Sequence, residues 1–447
     1  MTSMGTAGRL GLWSATALVV GHTIAVGIFL TPAEIIGALS SPILTFGLWI
    51  GCGLVVLAGA VTFGELASRF PRAGGLYIYL REAWGERVAF LYGWQSLLIM
   101  DPGVTAALGV GAAQYMVLIW PAAGGAERVI ACALIWALAL LTMGGLRIGA
   151  RVFGVMTAVK LGTLGGIILL AFAAGQGEWA HFSGATARPA AAPPLGEALA
   201  LGLVGVFFSF GGFWEASRIA GEVRDPRRTL PRALVLGVAT VTGVYLMTTA
   251  AFIYLVPPTA ATSAAEFAHR FGEALLGPAG PTVLASIVVL SVVPSAMAMI
   301  IVAPRLYEAM AADALFPAWL AERHRASGAP VRSTVVLAAL ASLFVLLGTF
   351  DQIVAFFLCT TLGFIAMAAA ALFAVRRRDG ATGAPFRTPG YPVTPALFVV
   401  LVLSIVLMVA AHRPLQAVAG LVIVMIGLLL QRRLAPRPVP MSPGGNR

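Results

Sequence analysis

The stretch Gly21-His22-Thr23-Ile24-Ala25-Val26-Gly27-Ile28-Phe29-Leu30-Thr31-Pro32 decides the fold of this chain. It lies inside a long apolar segment, yet its two glycines and its proline loosen or interrupt a helix. An unpaired backbone N–H or C=O in lipid costs several kcal/mol, so irregular backbone at membrane depth is tolerated where it is buried in protein or lines a wet cavity. The stretch therefore predicts a broken helix beside a binding site.

A second apolar segment carries a matching interruption, Phe207-Phe208-Ser209-Phe210-Gly211-Gly212-Phe213-Trp214. Secondary transporters built from inverted repeats place two such broken helices against each other near the middle of the membrane. The pair of interruptions therefore indicates a transporter with an internal repeat.

The composition places the chain in the membrane. Of its 447 residues, 59% are hydrophobic and only 11% are charged, with a mean hydropathy of +0.93. A soluble domain carries about 25% charged residues. The length allows about twelve spans of about 20 residues. The first eleven residues precede no small-residue cleavage pattern, so we expect the first span to be retained rather than removed as a signal peptide.

The apolar segments predict an all-α integral membrane protein with twelve spans. The predicted spans lie near residues 13–38, 42–67, 87–118, 128–146, 152–175, 196–219, 232–256, 280–311, 333–350, 353–375, 395–412 and 414–431. Each of the two interrupted spans is the first of a unit of five spans. Because five is an odd number, the two units have opposite orientations in the membrane. We divide the chain into a cytoplasmic N-terminus (1–12), a first repeat (13–175), a second repeat (196–375), two added spans (395–431) and a cytoplasmic tail (432–447).

The net charge of +11 could suggest a nucleic-acid partner, but its distribution argues against one. With alternating spans, 25 of the 29 Lys and Arg residues fall on the side of the two termini. Such a bias sets membrane orientation, and it predicts that both termini are cytoplasmic. The longest outer loops are expected at 176–195 and 257–279. Among the inner charges, we expect inner-gate or loop ion pairs that belong to the architecture and do not contact substrate, since surface pairs are weak in isolation; these residues are Glu65, Arg69, Glu222, Arg224 and Asp225.

Four segments carry a family resemblance. They are Gly21 to Pro32, Glu65 to Leu80, Gly221 to Ala233, and Arg305 through Pro317. In this order they resemble the first helix, first cytoplasmic loop, post-sixth-helix loop and eighth-helix end of the amino acid–polyamine–organocation (APC) permeases. The run Phe-Ser-Phe-Gly-Gly-Phe is most similar to the L-type and cationic permease subgroups. The resemblance implies the LeuT-like fold, a 5+5 inverted repeat plus two helices, and secondary transport of amino acids.

The chain also departs from the family pattern. Ala25 stands where the family usually has Gly, and Val26 where it often has Ser. His22 is unusual, and Trp214 and Glu215 replace smaller or amide residues. These departures concern the choice of substrate more than the fold.

A free amino acid offers a carboxylate and an ammonium group to its carrier. Exposed N–H groups at the end of a half-helix suit the carboxylate, and exposed carbonyls suit the ammonium. The predicted substrate-binding residues are Ile24, Ala25, Val26 and Gly27 in the first break, and Phe208, Ser209, Phe210, Gly211 and Gly212 in the second. The resemblance implies that an aromatic ring at Phe208 or Phe210 closes over the substrate from outside. Alternatively, the glycines serve close helix packing and the rings face the core or the lipid.

Lys160 is the only lysine in the chain, and it lies inside the fifth predicted span. A charge there should face the protein interior or water. Arg stays protonated, whereas a buried Lys can release its proton. The resemblance implies that this ammonium replaces a sodium ion beside the first break, bonded to carbonyls near Gly21 and to the hydroxyl of Ser291 or Ser295. The alternative is a lysine that extends its ammonium to the membrane surface.

Three further ionisable residues are candidates with open alternatives. His22 is either a proton site or a hydrogen-bonded packing residue. Asp101, followed by Pro102, interrupts the third predicted span and either faces the cavity or bonds to local backbone. Glu215 either faces the pocket, where it would favour a cationic substrate side chain, or faces the inner vestibule.

The sequence favours a transporter over other membrane functions. No cluster of His, Asp, Glu or Cys has metal-ligand or nucleophile–base spacing, so we expect no cofactor, metal or enzymatic activity. The three cysteines lie far apart in apolar segments and are expected to be packing residues. A channel or a six-plus-six drug exporter fits neither the glycine breaks nor the motifs. The expected partners are an amino acid, a proton or a second amino acid, and the lipid bilayer of a bacterial cytoplasmic membrane; a polyamine or organic amine permease of the same fold is the alternative.

Overall fold

The computed structural model describes residues 10–25, 27–72, 74–144, 150–183, 194–258, 264–320, 322–324, 328–380 and 384–434. These ranges hold sixteen α-helices joined by short connections. In order they are α1 Leu12–Thr23, α2 Gly27–Leu39, α3 Pro42–Arg69, α4 Leu76–Trp84, α5 Glu86–Gln95, α6 Asp101–Ile119, α7 Glu127–Met143, α8 Ala150–Ala173, α9 Leu195–Ser209, α10 Pro226–Leu255, α11 Ala264–Leu276, α12 Gly280–Ala312, α13 Val331–Leu347, α14 Phe350–Asp379, α15 Val393–His412 and α16 Pro414–Leu434.

The all-α membrane fold is confirmed. Within the described ranges, eight helical segments are long and apolar enough to cross a membrane, and the pair α1 and α2, bent by 53°, would make a ninth. The helices α7, α8 and α13 coincide with the three remaining predicted spans. The count of twelve and the two-repeat division stay predictions.

One predicted loop is wrong. The region 257–279 contains α11, an amphipathic helix. Phe267 and Phe271, four residues apart and thus on one face, pack against Phe252 of α10 with ring centroids 5.1 and 4.6 Å away. The charged residues of the opposite face gave this segment the composition of a loop.

The two interrupted spans meet each other at their breaks. α1 ends at Thr23 and α2 begins at Gly27, while α9 ends at Ser209 and continues after Gly212 as a 3₁₀ helix, Phe213–Glu222. A Cβ at Gly27 would lie 2.7 Å from Ser209 Oγ. Gly212 has φ +96° and a Cβ there would lie 3.1 Å from the His22 carbonyl oxygen. Each break therefore needs a glycine so that the other break can approach.

The third predicted span is continuous, which corrects the expectation of an interruption at Asp101. α5 passes through a wider π-helical turn, Ser96–Met100, directly into α6. This turn lies immediately before Pro102, which has no backbone N–H to donate. A π turn is a local widening that keeps the helix axis running.

A polar contact ties α4 to the end of α12. The Tyr77 hydroxyl donates to Asp313 Oδ2 at 2.6 Å, and Arg81 Nη1 lies 2.7 Å from the same oxygen. Burial and the Asp313 carboxylate raise the pKa of Tyr77 above its ordinary value, so this hydroxyl stays protonated and remains a donor.

A buried ion cluster joins α3 to α14 at their shared end. Glu65 is fully buried, and its carboxylate accepts hydrogen bonds from Arg69 Nη2 at 2.9 Å, Arg376 Nε at 2.9 Å and the Thr388 N–H at 2.7 Å. Arg376 also stacks 4.0 Å above the centroid of the Tyr391 ring. The Glu65–Arg69 pair, expected among the inner-gate or loop ion pairs, is thus part of a buried anchor between two spans and the segment after α14.

We predict that Glu65→Gln destabilises the protein by on the order of 3–5 kcal/mol, because it leaves buried arginines without their carboxylate. The measurement is thermal unfolding of the purified protein. The matched control is Glu322→Gln, since Glu322 pairs with Arg332 at an exposed site and should contribute under about 1 kcal/mol. Equal shifts for the two variants would contradict the anchoring role of Glu65.

Candidate functional site

A cavity of about 90 Å³ lies where the two breaks meet. This volume is several times the roughly 10–15 Å³ that one water molecule needs. Its wall opposite the breaks comes from α6, α12 and α14. The residues that line it are His22, Thr23, Ala25, Gly27, Met100, Val104, Ala107, Leu108, Phe207, Phe208, Ser209, Gly211, Gly212, Trp214, Glu215, Ser295, Met299, Phe357, Leu358, Thr361 and Leu362.

The predicted site residues divide into two groups. Those that line the cavity are His22, Ala25, Gly27, Phe208, Ser209, Gly211, Gly212, Glu215 and Ser295. Those that lie outside its lining are Gly21, Ile24, Asp101, Lys160, Phe210 and Ser291. Val26 lies outside the described residues.

Lys160 binds the backbone at the first break. Its Nζ donates to the carbonyl oxygens of Gly21 at 3.1 Å and Ile24 at 2.6 Å, and to Ser295 Oγ of α12 at 2.6 Å. The side chain is buried, and all three acceptors are uncharged oxygens. Ser291, the other candidate hydroxyl, finds no hydrogen-bond partner among the described residues. The ammonium therefore satisfies two carbonyls at the end of α1 and links them to α12.

The backbone groups at the breaks are partly engaged within the protein. The Ile24 N–H donates to the Val20 carbonyl at 2.8 Å, so it continues the helix and does not face a ligand as expected. The Gly211 N–H donates to the Phe208 carbonyl at 2.9 Å in a tight turn. Gly27 and Gly211 nevertheless line the cavity, so their backbone atoms lie close to any ligand held there.

Tyr245 of α10 connects the two breaks, which the sequence did not predict. Its Oη lies 3.0 Å from the Thr23 carbonyl oxygen and 2.7 Å from the Ser209 carbonyl oxygen. These carbonyls end α1 and α9, where no further helical turn supplies a donor. A single tyrosine in a long apolar span carries no signal for this contact, which depends on the packing of three helices.

Phe208 and Phe210 have different surroundings. Phe208 lines the central cavity and also a second cavity of about 310 Å³, and its ring packs near Phe350 and Phe357 with centroids 6.0 and 6.1 Å apart. Phe210 instead lies buried behind the break and packs on Tyr245 at 5.3 Å. Phe208 is thus the aromatic between the cavities, and the structure gives no support to Phe210 as a ligand contact.

The second cavity lies toward the end of the bundle where α2 and α15 end and α9 and α14 begin. Glu34, His412 and Arg413 are among the residues that line it. The loops at this end are those with few basic residues, which the charge distribution assigns to the outside. Phe208 therefore separates the central cavity from a vestibule at the predicted outer end.

A buried charge network lies beside the central cavity. Arg218 Nε lies 2.7 Å from Glu215 Oε2, and Arg218 Nη1 lies 3.4 Å from Asp101 Oδ1. Tyr307 donates to Asp101 Oδ2 at 2.6 Å, and Arg218 Nη2 donates to Tyr92 Oη at 3.4 Å. Asp101 therefore pairs with a distant arginine and with α12, which neither sequence alternative anticipated.

Arg218 is the residue of this network that sequence reasoning missed. In the sequence, Arg218 belongs to the basic residues expected on the inner side of the membrane. In the structure its side chain is 1% exposed. The sequence feature that could have identified Arg218 is its spacing of three residues from Glu215. Side chains three residues apart eclipse each other in a 3₁₀ helix, which has three residues per turn.

The family model described as "Amino acid permease" matches residues 10–430. This range covers nearly the whole chain and includes both breaks, Lys160 and the charge network.

Three curated relatives illustrate the similarity. The chain is 26% identical to the serine/threonine exchanger SteT of Bacillus subtilis, over 87% of this chain and 88% of the relative. It is 29% identical to the b(0,+)-type amino acid transporter 1 of Mus musculus, over 61% of this chain and 56% of the relative. It is 31% identical to the Asc-type amino acid transporter 1 of Mus musculus, over 60% of this chain and 52% of the relative. The matches span just over half the length of the mammalian relatives.

We predict that Tyr245→Phe destabilises the protein by about 1–3 kcal/mol, because it removes the single O–H donor shared by the buried carbonyls of Thr23 and Ser209 at the two breaks. The measurement is thermal unfolding of the purified variant. Tyr254→Phe is the control, since the Tyr254 hydroxyl makes no hydrogen bond among the described residues and its ring packs on Trp179. If both variants unfold at the wild-type temperature, the Tyr245 hydroxyl does not hold the breaks together.

Proposed function

The chain belongs to the amino acid permease family, and from this premise we propose that it is a sodium-independent secondary transporter that works by alternating access. It carries amino acids across a bacterial cytoplasmic membrane, with twelve spans, a 5+5 inverted repeat and both termini in the cytoplasm. The observation that carries the proposal is the cavity between two broken helices, whose glycines bring backbone groups to the ligand. Transporters of this architecture place their substrate at such breaks.

The position of Lys160 supports sodium independence. Its ammonium bonds to two break carbonyls and one hydroxyl. Break carbonyls of this kind coordinate the coupling cation in related architectures. A tethered ammonium supplies a positive charge from within the protein, so no dissolved cation is needed to satisfy these oxygens.

The position of Phe208 supports its role as an outer gate. It lines both the central cavity and the vestibule. A rotation of this ring would connect the two spaces, and a return would enclose the substrate. The backbone of the two breaks then holds the substrate while one bundle moves against the other.

Two coupling modes fit the site. Exchange of one amino acid for another is supported by the similarity to a relative named as a serine/threonine exchanger, which spans 87% of this chain. Proton symport is supported by two titratable side chains at the first break, His22 and Lys160. Uptake into proteoliposomes with and without internal amino acid distinguishes the modes, since exchange requires the internal substrate.

We expect a small set of chemically related amino acids to raise the thermal stability of the purified protein. A ligand that binds only the folded state adds RT ln(1 + [L]/Kd) to the stability. The measurement is a thermal shift screen of the twenty amino acids and common polyamines at two pH values. Stabilisation by polyamines alone would favour the amine permease alternative, and no shift with any compound would contradict amino acid binding.

We predict that Lys160→Ala abolishes transport, or makes it independent of pH, while the protein remains folded. The substitution removes the donor to the carbonyls of Gly21 and Ile24 and removes a titratable group. The measurement is uptake in proteoliposomes across a pH series, beside the melting temperature. Lys160→Arg is the matched control, because it keeps a positive charge that cannot be released. Wild-type uptake with a wild-type pH profile in Lys160→Ala would contradict the proposed role.

A further inference from the structure

We propose that Arg218 is an internal counter-ion for the acidic residues beside the central cavity and thereby restricts the transporter to amino acids with uncharged side chains. This inference rests on the proposed function and names the substrate class of that same site. It assigns a specificity role to a residue that does not line the cavity itself.

Glu215 is the one acidic side chain among the described residues that line the cavity. A free carboxylate at this position would attract a substrate with a cationic side chain. Its charge is already paired, because Arg218 Nε lies 2.7 Å from its Oε2, although neither carboxylate oxygen accepts a well-oriented hydrogen bond among the described residues. The positive charge that a lysine or arginine substrate would bring to Glu215 is already supplied by the protein.

The local backbone makes this pairing persistent. Glu215 and Arg218 lie three residues apart on the 3₁₀ helix Phe213–Glu222, so their side chains share one face. Both are buried, at 3% and 1% exposure of the side chain. Separating a buried pair leaves two uncompensated charges, which is strongly unfavourable. A substrate side chain would have to break this contact to replace it.

The second acidic residue of the network, Asp101, contacts the same guanidinium, so the single positive charge of Arg218 lies between two carboxylates. Arg218 Nη1 and Nη2 both lie 3.4 Å from Asp101 Oδ1, while Tyr307 donates to Asp101 Oδ2. The planar fork of an arginine can serve two carboxylates in this way, which a lysine cannot do with the same geometry.

The remaining wall opposite the breaks offers little to a charged side chain. It is lined mainly by apolar side chains, among them Met100, Val104, Leu108, Met299 and Leu362, and its two hydroxyls, on Ser295 and Thr361, are already hydrogen-bonded to Lys160 and Gln95. An ionised group placed against these residues would lose its water without gaining a partner. The cavity therefore suits an uncharged side chain, held by the backbone of the breaks at its ammonium and carboxylate.

The test is a gain of cationic substrates. The double variant Arg218→Met with Asp101→Asn removes one positive and one negative charge and leaves Glu215 as the single unpaired carboxylate. The triple variant adds Glu215→Gln and leaves the site without charge. The two differ by one carboxylate, so a folding defect common to both cancels in the comparison. The probes are L-lysine and L-arginine against L-alanine, L-serine, L-threonine and L-leucine, read by thermal shift and by competition for uptake.

We expect the wild-type protein to bind one or more of the neutral probes and neither cationic probe. The double variant should gain about tenfold in its affinity for lysine relative to the neutral ligand, since hydrogen bonds to charged groups are worth about this factor. The triple variant should show no such gain. A wild-type protein that already binds lysine or arginine, or a double variant that binds a neutral amino acid but gains no affinity for lysine, would overturn the inference. Absence of binding of every amino acid by the wild type would instead count against the proposed function.

If the double variant does not fold, the single variant Arg218→Lys provides a second test. Its ammonium keeps the charge but cannot serve both carboxylates with the arginine geometry. We expect partial entry of cationic substrates, measured as lysine inhibition of neutral uptake. A folded Arg218→Lys variant with no lysine inhibition at a hundredfold excess would also count against the inference.

Discussion

The structure depends on how backbone carbonyls are satisfied where two helices stop inside the protein. A helix end leaves several carbonyls without intrahelical donors, and the membrane interior supplies no water to replace them. At the first break Lys160 bonds to the carbonyls of Gly21 and Ile24, and Tyr245 reaches Thr23. Tyr245 also reaches Ser209 at the second break. Two side chains from different helices thus supply hydrogen-bond donors to carbonyls at both breaks.

The buried charges follow a related rule. Glu65 collects two arginines and a backbone N–H at the end of α3, whereas Arg218 collects two carboxylates beside the cavity. The first cluster joins helices and contributes no residue to the lining of either described cavity. The second lies beside the central cavity, where its member Glu215 belongs to the lining. Both clusters are buried ion pairs, but only the one beside the central cavity can affect which ligand is bound.

Much of the architecture could be predicted from the sequence because lipid imposes a strong, local constraint. Apolar length predicted the position of nearly every long helix, and the glycines at Gly27 and Gly212 predicted the two breaks. The helix α11 was missed because its charged face resembles a loop when read without its packing. Asp101 was expected to interrupt a span because the sequence does not reveal a π turn that accommodates Pro102.

The sequence by itself determined the class of protein, the broken helices and the placement of Lys160 in the protein interior, since each follows from composition or from a residue that is costly in lipid. Only the tertiary structure decided the partners: Ser295 rather than Ser291 for Lys160, Phe208 rather than Phe210 at the cavity, and Arg218 for Asp101. The pairs Lys160–Ser295 and Arg218–Asp101 each join residues separated by more than a hundred positions. Spacing along the chain carries no information about which side chains meet across a packed bundle, because that depends on how the helices pack against one another.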